Sequence, residues 1–282
     1  MTVKMPTMNG SPLRLRRIID ARTSRALLLS FTAGMEVGVS PGSADLPSMI
    51  GALAVRGQLT GAIVRAGVLP SLFARFPNLP CGIVVDLLGG TWLTPEMERP
   101  TQICTLEYAF RAGADAVLAS VSLGGPDESS RLRLCGQIAR DCAAWGLPLV
   151  IRIDTIALGS QRQYSGVVSG QGARMAYELG ADLVVVNYSG SRETFAEALQ
   201  GIDIPVLVGG GPRLETDEAL LASAASALES GAQGVALSGP MFWQDGGPTA
   251  TLNRLSNLVL DDSQNTRTEA VEPSSVYEAT RR

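Results

Sequence analysis

The stretch ARMAYELGADLVVVNY (173–188) reads as the end of a helix, a turn and a buried strand. Gly180 falls where a helix C-terminus needs a residue that accepts the left-handed conformation. The run Leu183-Val184-Val185-Val186 lacks polar alternation, as expected of a parallel strand covered on both faces. The same junction recurs at Gly113-Ala114-Asp115 and at Gly231-Ala232-Gln233. A helix, a Gly-Ala-Asp or Gly-Ala-Gln corner and a strand therefore form a repeated unit.

Short apolar runs bounded by Gly or Pro appear at 26–31, 61–67, 81–88, 114–123, 148–154, 181–188, 205–211 and 234–239. Longer amphipathic stretches separate most of them, and TATLNRLSNLVL (249–260) reads as the last helix. Eight βα units in one domain of this size predict a single (β/α)8 TIM barrel. The alternative is an open doubly wound sheet. Against it, no GxGxxG follows the first strand, and the glycine-rich loops fall late. The barrel is expected over 13–260. Residues 1–12 and 261–282 are polar and aperiodic and read as disordered tails.

Composition narrows function by exclusion. The net charge of −4 lacks the basic excess of a nucleic-acid binder. The chain has no histidine and one lysine, Lys4, so nearly all its basic character is arginine. Arginine does not titrate usefully but forks onto carboxylates and phosphates. A Schiff base needs a buried lysine amine, and the usual zinc sites need imidazole or thiolate clusters. Cys81, Cys104, Cys135 and Cys142 have no CxxC spacing and read as reduced, buried, structural thiols. No apolar run reaches the ~18 residues of a membrane span, and the first residues lack a signal peptide's apolar core, so a cytoplasmic protein without membrane contact is expected.

A family resemblance rests on LRLRRIID (13–20), TLEYAFRAGADAV (105–117), AAWGLPLV (143–150), ARMAYELGADLVVVNYSGS (173–191), PVLVGGGPR (205–213) and ALESGAQGVAL (227–237). In order and spacing these resemble the DeoC/LacD/class I fructose-bisphosphate aldolase superfamily. The similarity is greatest to its DhnA-type branch, which includes archaeal-type aldolases and aminodideoxyheptulosonate synthases. The resemblance implies a lyase barrel that takes phosphorylated sugar-like substrates and assembles as a homo-oligomer. It also implies that the Schiff-base lysine of the sixth strand is replaced by Val185. The family's first-strand Asp-His-Gly reads Thr32-Ala33-Gly34, its fifth-strand tyrosine falls at Asp154, and its eighth-strand Gly-Arg reads Ser238-Gly239.

Active sites of such barrels sit at the C-terminal ends of the strands, and side chains alternate along a strand. If position 185 points inward, so does Asn187, and if Asp154 does, so does Arg152. Asp86 closes the third strand, Arg65 the second, Ser120 and Ser122 lie on the fourth, and Glu36 follows the first. Charges inside apolar runs are costly unless paired or functional. The functional reading makes Asp154, Asp86 and Arg152 the catalytic set. Arg65, Asn187, Ser189, Gly190, Gly210, Gly211, Ser238 and Gly239 then form the substrate site, with the amides of Gly210, Gly211, Ser189 and Gly239 converging on an anion. The structural reading is a buried Arg152–Asp86 or Arg65–Asp154 ion pair in the space of the lost lysine. Asp86, Asp154 and Glu36 could hold Mg²⁺ through oxygens, but no motif spacing supports it, and no cofactor or metal is expected. Trp92, Trp145 and Trp243 read as packing anchors, with Trp92 and Trp243 candidates for the mouth.

The expected function is a repurposed aldolase-fold enzyme acting by acid/base chemistry, without an imine, in specialised biosynthesis. Its partner would be a small anionic or phosphorylated carbonyl or sugar-derived metabolite. The alternative is a non-catalytic barrel that binds a metabolite or a partner enzyme.

Overall fold

A computed structural model describes residues 10–39, 44–91, 93, 101–155, 158–159, 162–210, 214–244 and 247–261. Eight strands form the centre: β1 (Ala26–Ser30), β2 (Gly61–Val64), β3 (Gly82–Asp86), β4 (Ala116–Ser122), β5 (Leu149–Asp154), β6 (Leu183–Asn187), β7 (Val206–Gly210) and β8 (Gly234–Ser238). They lie in chain order in a closed barrel. The closing pair is parallel and runs from Ala26 opposite Gly234 to Ser30 opposite Ser238. That pairing excludes the open sheet. The helices that alternate with the strands are α1 (Leu46–Val55), α2 (Leu69–Arg75), α3 (Leu106–Arg111), α4 (Glu128–Trp145), α5 (Gly166–Glu178), α6 (Arg192–Ala198), α7 (Asp217–Glu229) and α8 (Ala250–Leu260). None is long and apolar enough to cross a membrane.

The apolar strands bury both faces. Outward residues such as Leu27, Val117, Ile151 and Val184 pack under the helices. Inward residues such as Leu28, Ile63, Val84, Leu118, Val150, Leu183 and Leu207 fill the barrel. Ile18, fully buried, joins that inner cluster from the segment before β1. It occupies space that a larger residue at position 82 would need, since a Cβ on Gly82 would lie 2.3 Å from Ile18 Cγ2 and 2.7 Å from the Arg17 carbonyl oxygen.

The body of the fold begins earlier than a tail over 1–12 would allow. Ser11 starts a short helix, Ser11–Leu15, is only 5 % exposed, and donates from its hydroxyl to Asp182 Oδ1 at 3.1 Å. Residues 1–9 and 262–282 lie outside the described residues.

The Gly-Ala-Asp corners do more than end helices. Gly113, Gly180 and Gly231 do adopt φ of 95°, 90° and 102°. The third residue of each corner then grips the preceding strand with backbone and side chain together. The Asp115 amide donates to the Ile83 carbonyl at 2.8 Å, while its Oδ2 accepts from the Ile83 amide at 2.9 Å. Asp182 does the same to Leu149 at 2.8 and 2.8 Å. Gln233 does so to Val206, also at 2.8 and 2.8 Å. Thr60, ahead of β2, repeats the grip on Leu27 at 2.9 and 3.0 Å. The clasps join β1 to β2, β3 to β4, β5 to β6 and β7 to β8. A buried strand end has no water to satisfy its amide and carbonyl, and these four residues satisfy both.

Candidate active site

The strands aim their last inward residues into the C-terminal mouth, and parity decides which residues those are. Two adjoining cavities open there, with volumes of about 250 and 240 Å³. Arg152, Val185 and Gly209 line both. The first adds Asp154, Asn187, Gly210, Gln163 and Tyr164. The second adds Ser30, Thr32, Ala33, Glu36 and Ser238. Ser120 and Ser122 stand in register beside Arg152 and Asp154.

Val185 forms the floor between the two spaces and is 2 % exposed. Its bulk requires glycine on the neighbouring strand, since a Cβ on Gly209 would sit 2.3 Å from Val185 Cγ1. An apolar branched side chain thus occupies the centre of the mouth, with Arg152 and Asp154 on one side of it.

Below the mouth lies an ion-pair cluster centred on Asp86. Its Oδ2 is 3.1 Å from Arg65 Nη1 and 3.9 Å from Arg152 Nη2, and its Oδ1 accepts from the Leu88 amide at 3.1 Å. Arg65 also reaches Glu36 Oε1 at 3.3 Å and donates to the Leu88 carbonyl. Asp86 is 1 % exposed, and burial pushes its carboxyl above the ordinary carboxylate range, against the pull of Arg152, Arg65 and the Leu88 amide. The expected Arg65–Asp154 pair is replaced by Arg65 with Asp86 and Glu36, because Arg65 directly follows β2 and Asp86 ends the adjacent β3. Asp86 and Arg65 line neither cavity, so they meet a ligand only through Arg152 and Glu36.

The expected polar ligands divide. Asn187 reaches the mouth, but its amide donates to Thr155 Oγ1 at 2.7 Å and to the Gln163 carbonyl at 3.3 Å. Ser189 and Gly190 line neither cavity. The Ser189 hydroxyl meets the Ser191 carbonyl and Thr194 Oγ1, both at 3.0 Å, at the start of α6. Gly190, at φ 82°, forms the turn leading to the Ser191 cap. The Gly239 amide donates to the Ser30 carbonyl at 2.8 Å, so the β8–β1 junction uses it and it is not an anion donor. Gly211, like Pro212, Arg213 and Trp92, lies outside the described residues. Trp243 lines neither cavity. Trp145 packs its ring 5.3 Å from Phe110 near the end of α4. Tyr164, Gln163 and Thr155 carry no sequence signal for this site, because they sit on a connection with no periodicity.

A family model described as DeoC/LacD family aldolase matches residues 47–244. The chain belongs to the DeoC/LacD aldolase family. It is 28 % identical over 255 residues to the 2-amino-3,7-dideoxy-D-threo-hept-6-ulosonate synthase of Halobacterium salinarum, covering 90 % of this chain and 93 % of that protein. It is also 28 % identical over 251 residues to the 2-amino-4,5-dihydroxy-6-oxo-7-(phosphonooxy)heptanoate synthase of Streptomyces griseus, covering 88 % and 89 %. Among solved structures it superposes with a TM-score of 0.75 and 27 % identity on an archaeal fructose-1,6-bisphosphate aldolase, over 89 % of this chain and 99 % of that one. That aldolase holds its substrate's carbinolamine intermediate covalently on its catalytic lysine. In this family member the only lysine is Lys4, ahead of the barrel and outside the described residues.

Proposed function

We propose that this DeoC/LacD family member is an aldolase-type enzyme that converts a small phosphorylated carbonyl compound through an enolate, without a lysine imine. The observation that carries the reading is that Arg152 and Asp154 line one mouth cavity together with Val185. The names of the relatives, one of which carries a phosphonooxy group and another a bisphosphate, support the substrate class.

The chemistry follows from two side chains that share a face of β5. The Arg152 guanidinium, tied to Asp86 at 3.9 Å, presents a fixed positive charge to a substrate carbonyl oxygen. A preformed positive charge stabilises the oxyanion more than the neutral carbonyl, which lowers the barrier to enolate formation. Asp154 accepts the proton from the carbon beside that carbonyl. The relative forms a Schiff base on its catalytic lysine, and here a charged guanidinium is the group that faces the carbonyl oxygen. Asp86 and Arg65 act as positioning residues that hold Arg152 and Glu36 at the rim.

The test is exchange of the carbon-bound protons of dihydroxyacetone phosphate into D2O, followed by NMR. The wild-type protein should catalyse exchange, and Asp154→Asn should slow it by roughly 10²–10⁴-fold, the range for a positioned acid/base. Exchange at the wild-type rate in the variant would assign Asp154 to structure. No exchange by the wild-type protein, together with a phosphate-induced rise in melting temperature, would favour a non-catalytic metabolite-binding barrel, the reading that the missing barrel lysine favours.

A further inference from the structure

Enolate formation needs a group that receives a proton from carbon and gains speed from one that gives a proton to oxygen. Apart from the permanently charged Arg152, the described lining of the first mouth cavity offers two ionisable side chains, Asp154 and Tyr164. Tyr164 comes from the β5–α5 connection, ten residues beyond Asp154 in the chain, and is half-buried. It shares the cavity with Asp154 and Arg152.

A hydrogen-bond network holds this part of the connection against the barrel. The Thr155 hydroxyl donates to the carbonyl of Gln163, the residue before Tyr164, at 2.7 Å. The Asn187 amide on β6 donates to Thr155 Oγ1 at 2.7 Å and to the same Gln163 carbonyl at 3.3 Å. Thr155 is 1 % exposed, so this is an internal tie rather than a surface contact. On the far side of Tyr164, the Ser165 amide donates to the Arg162 carbonyl at 3.0 Å, and Ser165 is the N-cap of α5. The backbone on both sides of Tyr164 is therefore fixed, and one side is fixed to strand ends that carry site residues.

We propose that Tyr164 is the second proton-transfer residue of this site, delivering a proton to the substrate oxygen while Asp154 takes one from carbon, and that Asn187, Thr155 and Gln163 position it. This rests on the enolate reading above. In the step, the Asp154 carboxylate removes the proton from the carbon beside the carbonyl. The C–H pair becomes the C=C bond, and the carbonyl π pair moves onto oxygen. That oxygen takes the phenol proton, leaving an enediol, a phenolate facing Arg152 and a protonated Asp154. Reversal of the same transfers with solvent deuterons at Asp154 restores the ketone with deuterium on carbon.

The same exchange of dihydroxyacetone phosphate protons tests the assignment, with Tyr164→Phe, Thr155→Val and the double variant, each checked for an unchanged melting temperature. Tyr164→Phe should slow exchange at saturating substrate by at least ~10-fold with little change in half-saturation. Thr155→Val leaves every cavity-lining side chain in place but removes the shorter of the two hydrogen bonds to the Gln163 carbonyl, together with the acceptor of the Asn187 amide. It should slow exchange by less, and the double variant should be no slower than Tyr164→Phe alone. Wild-type exchange by Tyr164→Phe while Asp154→Asn is impaired would overturn the role of Tyr164 and leave the enolate reading standing. Additive losses in the double variant would overturn the positioning role of Thr155. Absence of exchange in the wild-type protein would overturn both the enolate reading and this assignment.

Discussion

At the scale of single residues, the most consequential group is Asp86, a carboxylate 1 % exposed beneath two guanidiniums. Burial raises its carboxyl, so its stabilising contribution is complete below the unfolded value of ~3.9 and is lost as pH rises through the folded value. Arg65→Met removes its nearer partner and leaves Asp86 with only Arg152 and the Leu88 amide, which should cost up to about 3–5 kcal/mol at pH 7. The deficit should shrink as the pH falls and Asp86 takes up a proton. Urea titrations at pH 7 and pH 5 check this, and equal deficits at the two values would contradict it. The cysteines give a second check. Burial pushes Cys81 and Cys142 up to about 12 and Cys135 up to about 11. Only about 10⁻⁴–10⁻³ of each thiol is then ionised at pH 8. A thiol reagent should leave these three untouched in the native protein and label all four cysteines in denaturant. Rapid native labelling at Cys81 would show that its surroundings open. Strand parity was enough to place Arg152, Asp154 and Asn187 at the mouth. It was not enough to name the partner of Arg65, because parity fixes a face and not a neighbour. Tyr164 had no parity to read.

At the scale of elements, the recurrent corner explains how helices are joined to strands that start in register. The glycine was legible as a helix cap because its signal is local. The role of the aspartate was not, because the amide that Asp182 satisfies belongs to Leu149, 33 residues earlier. Asp182→Ala would leave that fully buried amide without its side-chain acceptor, a loss of about 1–3 kcal/mol. Asp182→Asn keeps an oxygen in place and should lose less. Denaturant unfolding of both variants decides the point, and an Ala variant within 0.5 kcal/mol of wild type, the ordinary range for a surface change, would show that the clasp adds little. The strands were readable because a parallel strand buried on both faces is uniformly apolar. The small pairing of Leu88–Gly89 with Thr101–Gln102 was not readable, since two-residue strands carry no period.

At the scale of the whole molecule, eight apolar runs and three glycine corners sufficed for a closed barrel, and family membership follows from the match over 47–244. The chemistry is harder to read from the fold, because a barrel of this kind hosts many reactions on the same scaffold. This chain has Lys4 as its sole lysine and a mouth built on Val185, Arg152 and Asp154, whereas the aldolase it superposes on holds its intermediate on a catalytic lysine. The proposed carbonyl activation therefore depends on a fixed guanidinium rather than on a covalent amine adduct. The direct measurement is sodium borohydride reduction of the protein during turnover of dihydroxyacetone phosphate, followed by intact and peptide mass spectrometry. Proton exchange should proceed with the protein mass unchanged. A reduced substrate adduct on Lys4 or the N-terminal amine that rises and falls with exchange activity would contradict it.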